Sequence, residues 1–286
     1  MSDAPSADDA RFEQALELLG SHRSIRHYKP DPIDDADLDR ILEAATRAST
    51  SGNMQTYSVI VTKDEQRRAE LFELHYRQEM ILQAPVLLTF VADWNRMKRW
   101  CLLEDAEPGW DNPLSFLVAF ADAIIAAQNA VLAAEARGLG TCYMGTTLNS
   151  SPRLTEFFEL PPDTFPATTV VMGWPDEDPA LRARLPIEGI VHHERYEDFD
   201  DERVSAVYHD RNTEGWKRYQ EFPQLAKMIA ESGVKNLAQV YCQVKYTKER
   251  FDNRSLGILA LLRKQGFLPE ELWDRSLTDD GSSWDG

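Results

Sequence analysis

Phe12, Ala15, Leu16 and Leu19 recur at i, i+3, i+4 and i+7, the spacing of one helical face, and Gly20 follows as a residue suited to end the helix. Pro30-Asp31-Pro32 keeps the next loop extended. Asp34 or Asp35 then caps a second helix with an apolar stripe of Leu38, Ile41, Leu42 and Ala45, which the polar run Ser49-Thr50-Ser51-Gly52-Asn53 ends. Residues 56–62, rich in β-branched side chains and Tyr, predict a strand, and 64–74 predict a helix. Residues 86–92 are almost wholly apolar, the pattern of a central strand buried on both faces. The longest helical stretch covers 113–137, about 25 residues or roughly 37 Å, apolar on nearly every side and stopped by Gly138. A short strand at 141–144, a helix opened by Ser151-Pro152 and an apolar strand at 168–173 follow.

Strands and helices alternate to about residue 186 without a Ser/Gly-rich linker, which predicts a single α+β domain, placed at 11–196. Beyond it the chain is charged and lacks a convincing strand, with helical segments around 225–230, 234–244 and 255–264. Residues 197–277 are therefore expected to form a helical extension that wraps the core or a partner subunit. Residues 1–10 and 278–286 are acidic and rich in small side chains, and are expected to fray.

The 286 residues carry 31 Lys+Arg against 48 Asp+Glu, a formal charge of −17, at 43% hydrophobic content. Such a chain is globular and long enough to enclose a cofactor. It repels phosphate polymers and anionic lipid surfaces, so neither a nucleic acid nor a membrane is expected as a partner. Residues 1–9 have neither the basic nor the apolar region of a secretory signal, which makes the cytoplasm the expected location. Asp122, Gln128 and Asn129 interrupt the longest apolar stretch and suit a buried helix. Cys101, Cys142 and Cys242 are too far apart in sequence for a CxxC site and are expected to be reduced core thiols.

Several chemistries lose support. No GxxxxGKS/T or GxSxG motif occurs, and Gly138, Gly140 and Gly145 follow a helix where a dinucleotide fingerprint follows a strand. His192-His193-Glu194 lacks metal-ligand spacing and is read as a surface loop, so no metal is expected. Ser21-His22-Arg23-Ser24-Ile25-Arg26 is more informative, because positions 21–30 hold Arg23, Arg26 and Lys29 without one acid. A guanidinium matches a phosphate or a ring N–C=O edge, but a solvated basic loop has the same composition, and from this segment alone both readings stay open. A second acid-free island holds Arg182 and Arg184, which share a face on an extended backbone. Two such islands in a strongly acidic chain point to one anionic ligand. Between them, 49–55 offers hydroxyls and amides suited to a ribityl chain or a heterocycle edge, or else forms an ordinary helix-to-strand turn.

Taken together, these segments resemble the FMN-dependent oxygen-insensitive nitroreductase family, in its nitroreductase A/flavin reductase P branch. Arg23-Ser24-Ile25-Arg26, the stretch 44–58, Gly138-Leu139-Gly140-Thr141-Cys142-Tyr143-Met144-Gly145, and Gly173-Trp174-Pro175 followed by Arg182-Ala183-Arg184-Leu185-Pro186 occur in the family's order. The resemblance covers about 10–196 and is weak beyond, chiefly at Lys264-Gln265-Gly266-Phe267. It implies a central, mostly antiparallel sheet flanked by helices, a long buried central helix and an intertwined homodimer. It further implies FMN as cofactor, NADPH or NADH as electron donor, and a small planar acceptor such as a nitroaromatic, a quinone or a free flavin. Hydride would pass through flavin N5 in alternating half-reactions.

Residue by residue, the resemblance assigns His22, Arg23, Ser24 and Arg26 to FMN, with Arg26 at the N1/C2=O edge, and Arg182 and Arg184 to the phosphate. It assigns Thr50, Ser51, Asn53 and Gln55 to the flavin of the partner subunit, and Gln78 to a further amide contact. Tyr143, Met144 and Gly145 fall at the strand end beside the ring, with backbone N–H groups toward N5. No protein nucleophile or dedicated general acid is implied. Thr56-Tyr57 departs from the frequent Pro-Trp, Thr146 stands where Gly is frequent, and 197–254 does not align. Arg203, Arg211, Lys217 and Arg218, with Arg96, Lys98 and Arg99 on another loop, are candidates for a nucleotide phosphate, a solvated surface being favoured for each. The alternatives are a specialised relative that dehalogenates or fragments flavin, and a flavin-binding protein without useful turnover.

Overall fold

The computed structural model describes residues 6–270. Helix α1 (Ala7–Gly20) starts on a reciprocal cap, in which the Ser6 hydroxyl accepts the Asp9 N–H at 3.1 Å and the Asp9 carboxylate accepts the Ser6 N–H at 3.2 Å. Of the two ends expected to fray, 6–10 form the cap and first residues of this helix, and 1–5 and 278–286 lie outside the described residues. Asp34 caps α2 (Asp35–Thr46) through the Ala36 N–H at 2.8 Å. There follow a 3-10 turn (Ser51–Asn53), β1 (Tyr57–Thr62), α3 (Glu65–Leu74), α4 (Met80–Gln83), β2 (Val86–Asp93), α5 (Asn95–Leu103) and α6 (Pro113–Ala136). Then come β3 (Gly140–Tyr143), α7 (Thr146–Asn149), α8 (Ser151–Phe157) and β4 (Thr164–Gly173).

The four strands form one antiparallel sheet in the order β1-β2-β4-β3. β2 and β4 are central and buried along their whole length. Alternation along them feeds two cores. Leu88, Phe90, Val170 and Met172 face Ala123, Ala126, Ala127, Ala130 and Ala134 of α6. On the opposite face Leu87 and Val171 meet Leu71 of α3, Ile81 of α4, Leu154 of α8, and Ile25 and Tyr28. β4 starts four residues before the expected 168, because a shift in register between Phe90 and Val91 lets Pro166 sit inside a strand pairing. α6 is long and apolar enough to cross a membrane by length and composition, yet its alanine face belongs to the core of this sheet.

Of the described residues, 6–179 with 256–270 form one compact unit and 180–255 another. This differs from a boundary at 196. The last stretch belongs with the first unit because Leu261, Leu262 and Phe267 complete an apolar cluster with Trp94 and Phe165. Taken by itself, the second unit holds a 3-10 turn (Ile187–Gly189), α9 (Asp201–Glu221), α10 (Pro223–Ser232), α11 (Leu237–Gln239), a π-helical turn (Val240–Lys245) and the first turns of α12 (Lys248–Lys264). Tyr219, Ile229, Val234, Leu237, Val240 and Val244 form its core. α9 escaped sequence reading because it buries only Val207, Gly215 and Tyr219, too few for an apolar stripe. Cys242 is exposed, which corrects the expectation of three core thiols; Cys101 and Cys142 are buried.

A Cβ on Gly173 would stand 2.7 Å from Pro85 Cδ and 2.9 Å from the Tyr28 ring. Gly173→Ala is expected to cost about 1–3 kcal/mol by overpacking. Urea unfolding measures this, and an unchanged midpoint would contradict the close approach.

Candidate functional site

Residues 22–28 are laid along the sheet by two isolated bridges, Ser24 with Thr141 and Tyr28 with Pro175. Ile25 N–H donates to Thr141 O and Lys29 N–H to Trp174 O, each at 2.9 Å. A Cβ on Gly140 would come within 2.7 Å of Ile25, so this position is glycine to let the segment approach. Tyr28 donates its hydroxyl to Ile25 O at 2.7 Å, and burial pushes its phenol well above the usual range.

The segment is acid-free in sequence but not in space. The Glu177 carboxylate accepts the N–H of Arg26 and, at 3.1 Å, that of His27. Asp178 pairs with the Arg23 guanidinium, and Glu135 lies 2.7 Å from His22 Nδ1 while also accepting the Thr141 hydroxyl at 2.9 Å. Arg26 differs. Its half-buried guanidinium donates to Ser24 O at 3.2 Å, and no carboxylate pairs with it among the described residues. Within this island it is therefore the Arg26 charge that is held in place without being neutralised.

At the end of β3, Met144 N–H is already committed to Thr169 O at 2.8 Å. The N–H groups of Gly145 and Thr146 have no acceptor among the described residues. Of the Tyr143, Met144 and Gly145 donors expected beside the ring, the Met144 N–H is thus taken within the fold, and Thr146 adds an N–H next to that of Gly145. The Tyr143 side chain faces the α6 core, and its hydroxyl donates to Gln128 at 3.2 Å.

The loop after α2 is pinned from two sides. Asp122, buried in α6, accepts the N–H of Ser51 at 3.0 Å, the N–H of Thr56 at 3.2 Å and the Thr56 hydroxyl at 2.8 Å. Arg96 donates to Gln55 O and Tyr57 O, both at 2.8 Å. Arg96, Lys98 and Arg99 stand on α5, not on a loop; the Arg96 guanidinium holds backbone, and Lys98 pairs with Asp163 at 2.7 Å. Ser51, Asn53 and Gln55 are exposed, and the buried Thr50 hydroxyl has no partner among the described residues.

Tyr76 and Arg77 both take a left-handed φ of 57° and turn the chain sharply after α3. Gln78 Nε2 thereby reaches His75 O at 3.2 Å and Thr146 Oγ1 at 3.4 Å. His75 is fully buried, with Nδ1 2.8 Å from Thr146 Oγ1, and desolvation pushes its pKa down to about 4. Asn53 and Gln55 are left-handed as well, so four of the eight non-glycine residues with positive φ among the described residues fall in the two segments 53–55 and 76–77. Each such residue costs about 1 kcal/mol or more, a cost that collects around functional sites. Sequence reasoning missed His75, a lone histidine at a helix end with no motif around it. Thr146 was signalled only as a departure from glycine.

In the second unit, Arg182 and Arg184 are exposed on a stretch without regular structure, where Arg184 Nη1 donates to Arg182 O at 3.4 Å. Arg211 donates to the Tyr241 hydroxyl at 2.7 Å, Arg203 to Glu188 O at 3.3 Å, and Arg218 lies over the Tyr219 and Phe222 rings. His192 stacks on Tyr196 and Phe199 and accepts the Glu197 N–H at 3.1 Å.

Residues 19–174 match the profile of the Nitroreductase family. The oxygen-insensitive NADPH nitroreductase of Salmonella typhimurium is 37% identical over 199 residues, 70% of this chain and 81% of that protein. The FMN reductase (NAD(P)H) of Bacillus subtilis is 36% identical over 246 residues, 78% and 99% of the two chains. The structure of the NADPH:FMN oxidoreductase from Vibrio harveyi complexed with NAD+ superimposes with a TM-score of 0.72 at 26% identity, covering 88% of this chain and 98% of that one.

His75 carries a pH signature. Its unperturbed pKa is 6.5 and its folded pKa about 4, so between these values the unfolded chain binds the additional proton. The stability that neutral His75 contributes is complete above pH 6.5 and is lost as pH falls toward 4, by about 3 kcal/mol. Urea unfolding from pH 7 to 4 should show wild type losing that much more stability than His75→Asn. Parallel curves would rule it out.

Proposed function

The chain belongs to the nitroreductase family, and on that premise we propose that it is an FMN-dependent NAD(P)H oxidoreductase that reduces flat acceptors, nitroaromatics, quinones or free flavin, two electrons at a time. The observation that carries the reading is the Arg26 guanidinium, fixed beside the sheet edge with no carboxylate among the described residues to cancel it. Bound FMN supplies the redox carrier, taking hydride from NADPH or NADH and delivering it to the acceptor.

The donors present fit such a group. Arg26 would set a fixed positive charge against the edge of a flavin, which gains negative charge on reduction, and Glu177 fixes the Arg26 backbone. The N–H groups of Gly145 and Thr146 offer neutral donors at the end of β3, beside Tyr143 and Met144, while Gln78 keeps its assigned contact on the resemblance of its motif. His22 and Arg23, anchored by Glu135 and Asp178, hold the segment in place together with Ser24. Arg182 and Arg184 are assigned the phosphate on the resemblance of their motif. A cytoplasmic setting goes with this reading, since three free cysteines suit a reducing compartment.

A homodimer belongs to the same proposal. Phe12, Leu16 and Leu19 on α1 are exposed by 61%, 46% and 54%, and Leu114, Leu117 and Ile125 on α6 are exposed too. An apolar stripe of this kind on the surface marks a contact. Ser49, Thr50 and Ser51 line one concave surface with Leu117, Ala121 and Ile125, so the polar loop assigned to the flavin adjoins the apolar patch. This supports Thr50, Ser51, Asn53 and Gln55 acting on the partner's cofactor.

Adding NADPH or NADH anaerobically to the FMN-loaded protein should bleach the flavin spectrum, and a quinone should restore it. A spectrum that stays oxidised with both nucleotides would falsify the reductase reading. Arg26→Ala should slow bleaching roughly 10- to 100-fold, the worth of a charged hydrogen bond, with the fold intact. Leu117→Asp should convert the dimer to a monomer that loses FMN, measured by analytical ultracentrifugation. A Leu117→Asp protein that sediments as a dimer would exclude this interface.

A further inference from the structure

FMN binding as proposed asks nothing of His75, yet this fully buried side chain ends α3 and turns its Nδ1 onto Thr146 Oγ1 at 2.8 Å. Two tautomers are open to it. With the proton on Nε2, Nδ1 accepts the Thr146 hydroxyl, and a buried N–H is left with no acceptor, because Nε2 has no partner among the described residues. With the proton on Nδ1, the ring donates to Thr146 Oγ1 and only a lone pair at Nε2 goes unused. Orphaned buried N–H groups are rarer in proteins than under-used acceptors, so the second tautomer is the favoured one. Desolvation, which holds the pKa near 4, keeps the ring from being doubly protonated at neutral pH.

Gln78 Nε2 also donates to Thr146 Oγ1, at 3.4 Å. A hydroxyl has two acceptor positions and one proton. With His75 and Gln78 occupying the acceptor positions, the Thr146 proton is directed away from both. Thr146 is partly exposed and adjoins Gly145, whose N–H, like its own, has no acceptor in the chain among the described residues. The strained Tyr76-Arg77 turn is what brings Gln78 into range.

We propose that His75 is a positioning residue: its Nδ1–H, with the Gln78 amide, fixes the Thr146 hydroxyl as an outward hydrogen-bond donor to an acceptor atom on the edge of the bound isoalloxazine. This rests on the FMN reading for the ligand, and on the geometry of His75, Gln78 and Thr146 for the device. A ring edge rich in carbonyl and imine acceptors is the chemistry that such a donor recognises. Thr146 adds a side-chain donor to the backbone donors beside it.

The test uses the full-length protein and FMN. Thr146→Val keeps the shape and removes the hydroxyl, and His75→Leu removes the ring donor. Each should raise the FMN Kd about 5-fold, the worth of one neutral hydrogen bond, and the double variant no further than either single one. Thr146→Ser should bind as wild type does, and His75→Asn, which retains an N–H donor near the Nδ1 position, should restore most of the affinity lost in His75→Leu. Because His75→Leu can disturb packing, long-range 1H–15N correlation on the wild-type protein reads the tautomer directly, with Nδ1–H expected. An Nε2–H tautomer, or Thr146→Val binding FMN as tightly as wild type, overturns the proposal. Wild-type protein that binds no FMN overturns the cofactor reading instead, and the NMR result then decides the His75 hydrogen bond alone.

Discussion

The close approach of α6 to the sheet is the constraint on which the other elements depend. Alanine at 123, 126, 127, 130 and 134 lets the helix backbone lie near Leu88, Phe90, Val170 and Met172 without a layer of large side chains between them. The same helix carries Asp122, whose carboxylate takes three hydrogen bonds from Ser51 and Thr56. A buried charge is tolerated there because it is fully hydrogen-bonded. The helix that fixes the sheet thus also fixes the loop assigned to the neighbouring cofactor, and its outer residues Leu114, Leu117 and Ile125 face outward beside that loop.

The site is organised by carboxylates that do no chemistry. Glu177, Asp178, Glu135 and Asp122 each hold backbone or a side chain in one arrangement, and a basic side chain, Arg96, does the same through the carbonyls of Gln55 and Tyr57. In a chain with an excess of 17 acids, most cations near the site are consumed in this way. Arg26 stands apart from them, and for that reason the proposed reading gives it the flavin edge. The preorganisation is electrostatic: its cost is met during folding and not during turnover.

Periodicity alone located most elements that build the sheet, because β2 is buried along its whole length and α6 is apolar on nearly every side, so that their composition betrays them. It failed where burial is sparse, as in α9, and where a rule is locally broken, as with Pro166 inside β4. The motifs brought these segments forward, but sequence composition misled about their electrostatics. The acids that balance 22–27 come from Glu135, Glu177 and Asp178, remote in sequence, and no local window contains them. His75 was invisible for a related reason. Its significance lies in its contact with Thr146, 71 positions away, which no local window contains.

The remote anchoring of the first basic segment also has a kinetic side. Arg23 and Arg26 are tied to residues 155 and 151 positions later in the chain. Closing so long a loop costs more entropy than any neighbouring pairing in the sheet, and contacts of such separation form late in folding. During synthesis the segment has to wait until β4 and the residues after it have emerged. Local opening of this segment would release the donors proposed to hold the cofactor. A ligand that binds only the closed form shifts this equilibrium by mass action, so cofactor supply becomes a determinant of how long the chain's N-terminal segment stays protected from proteases.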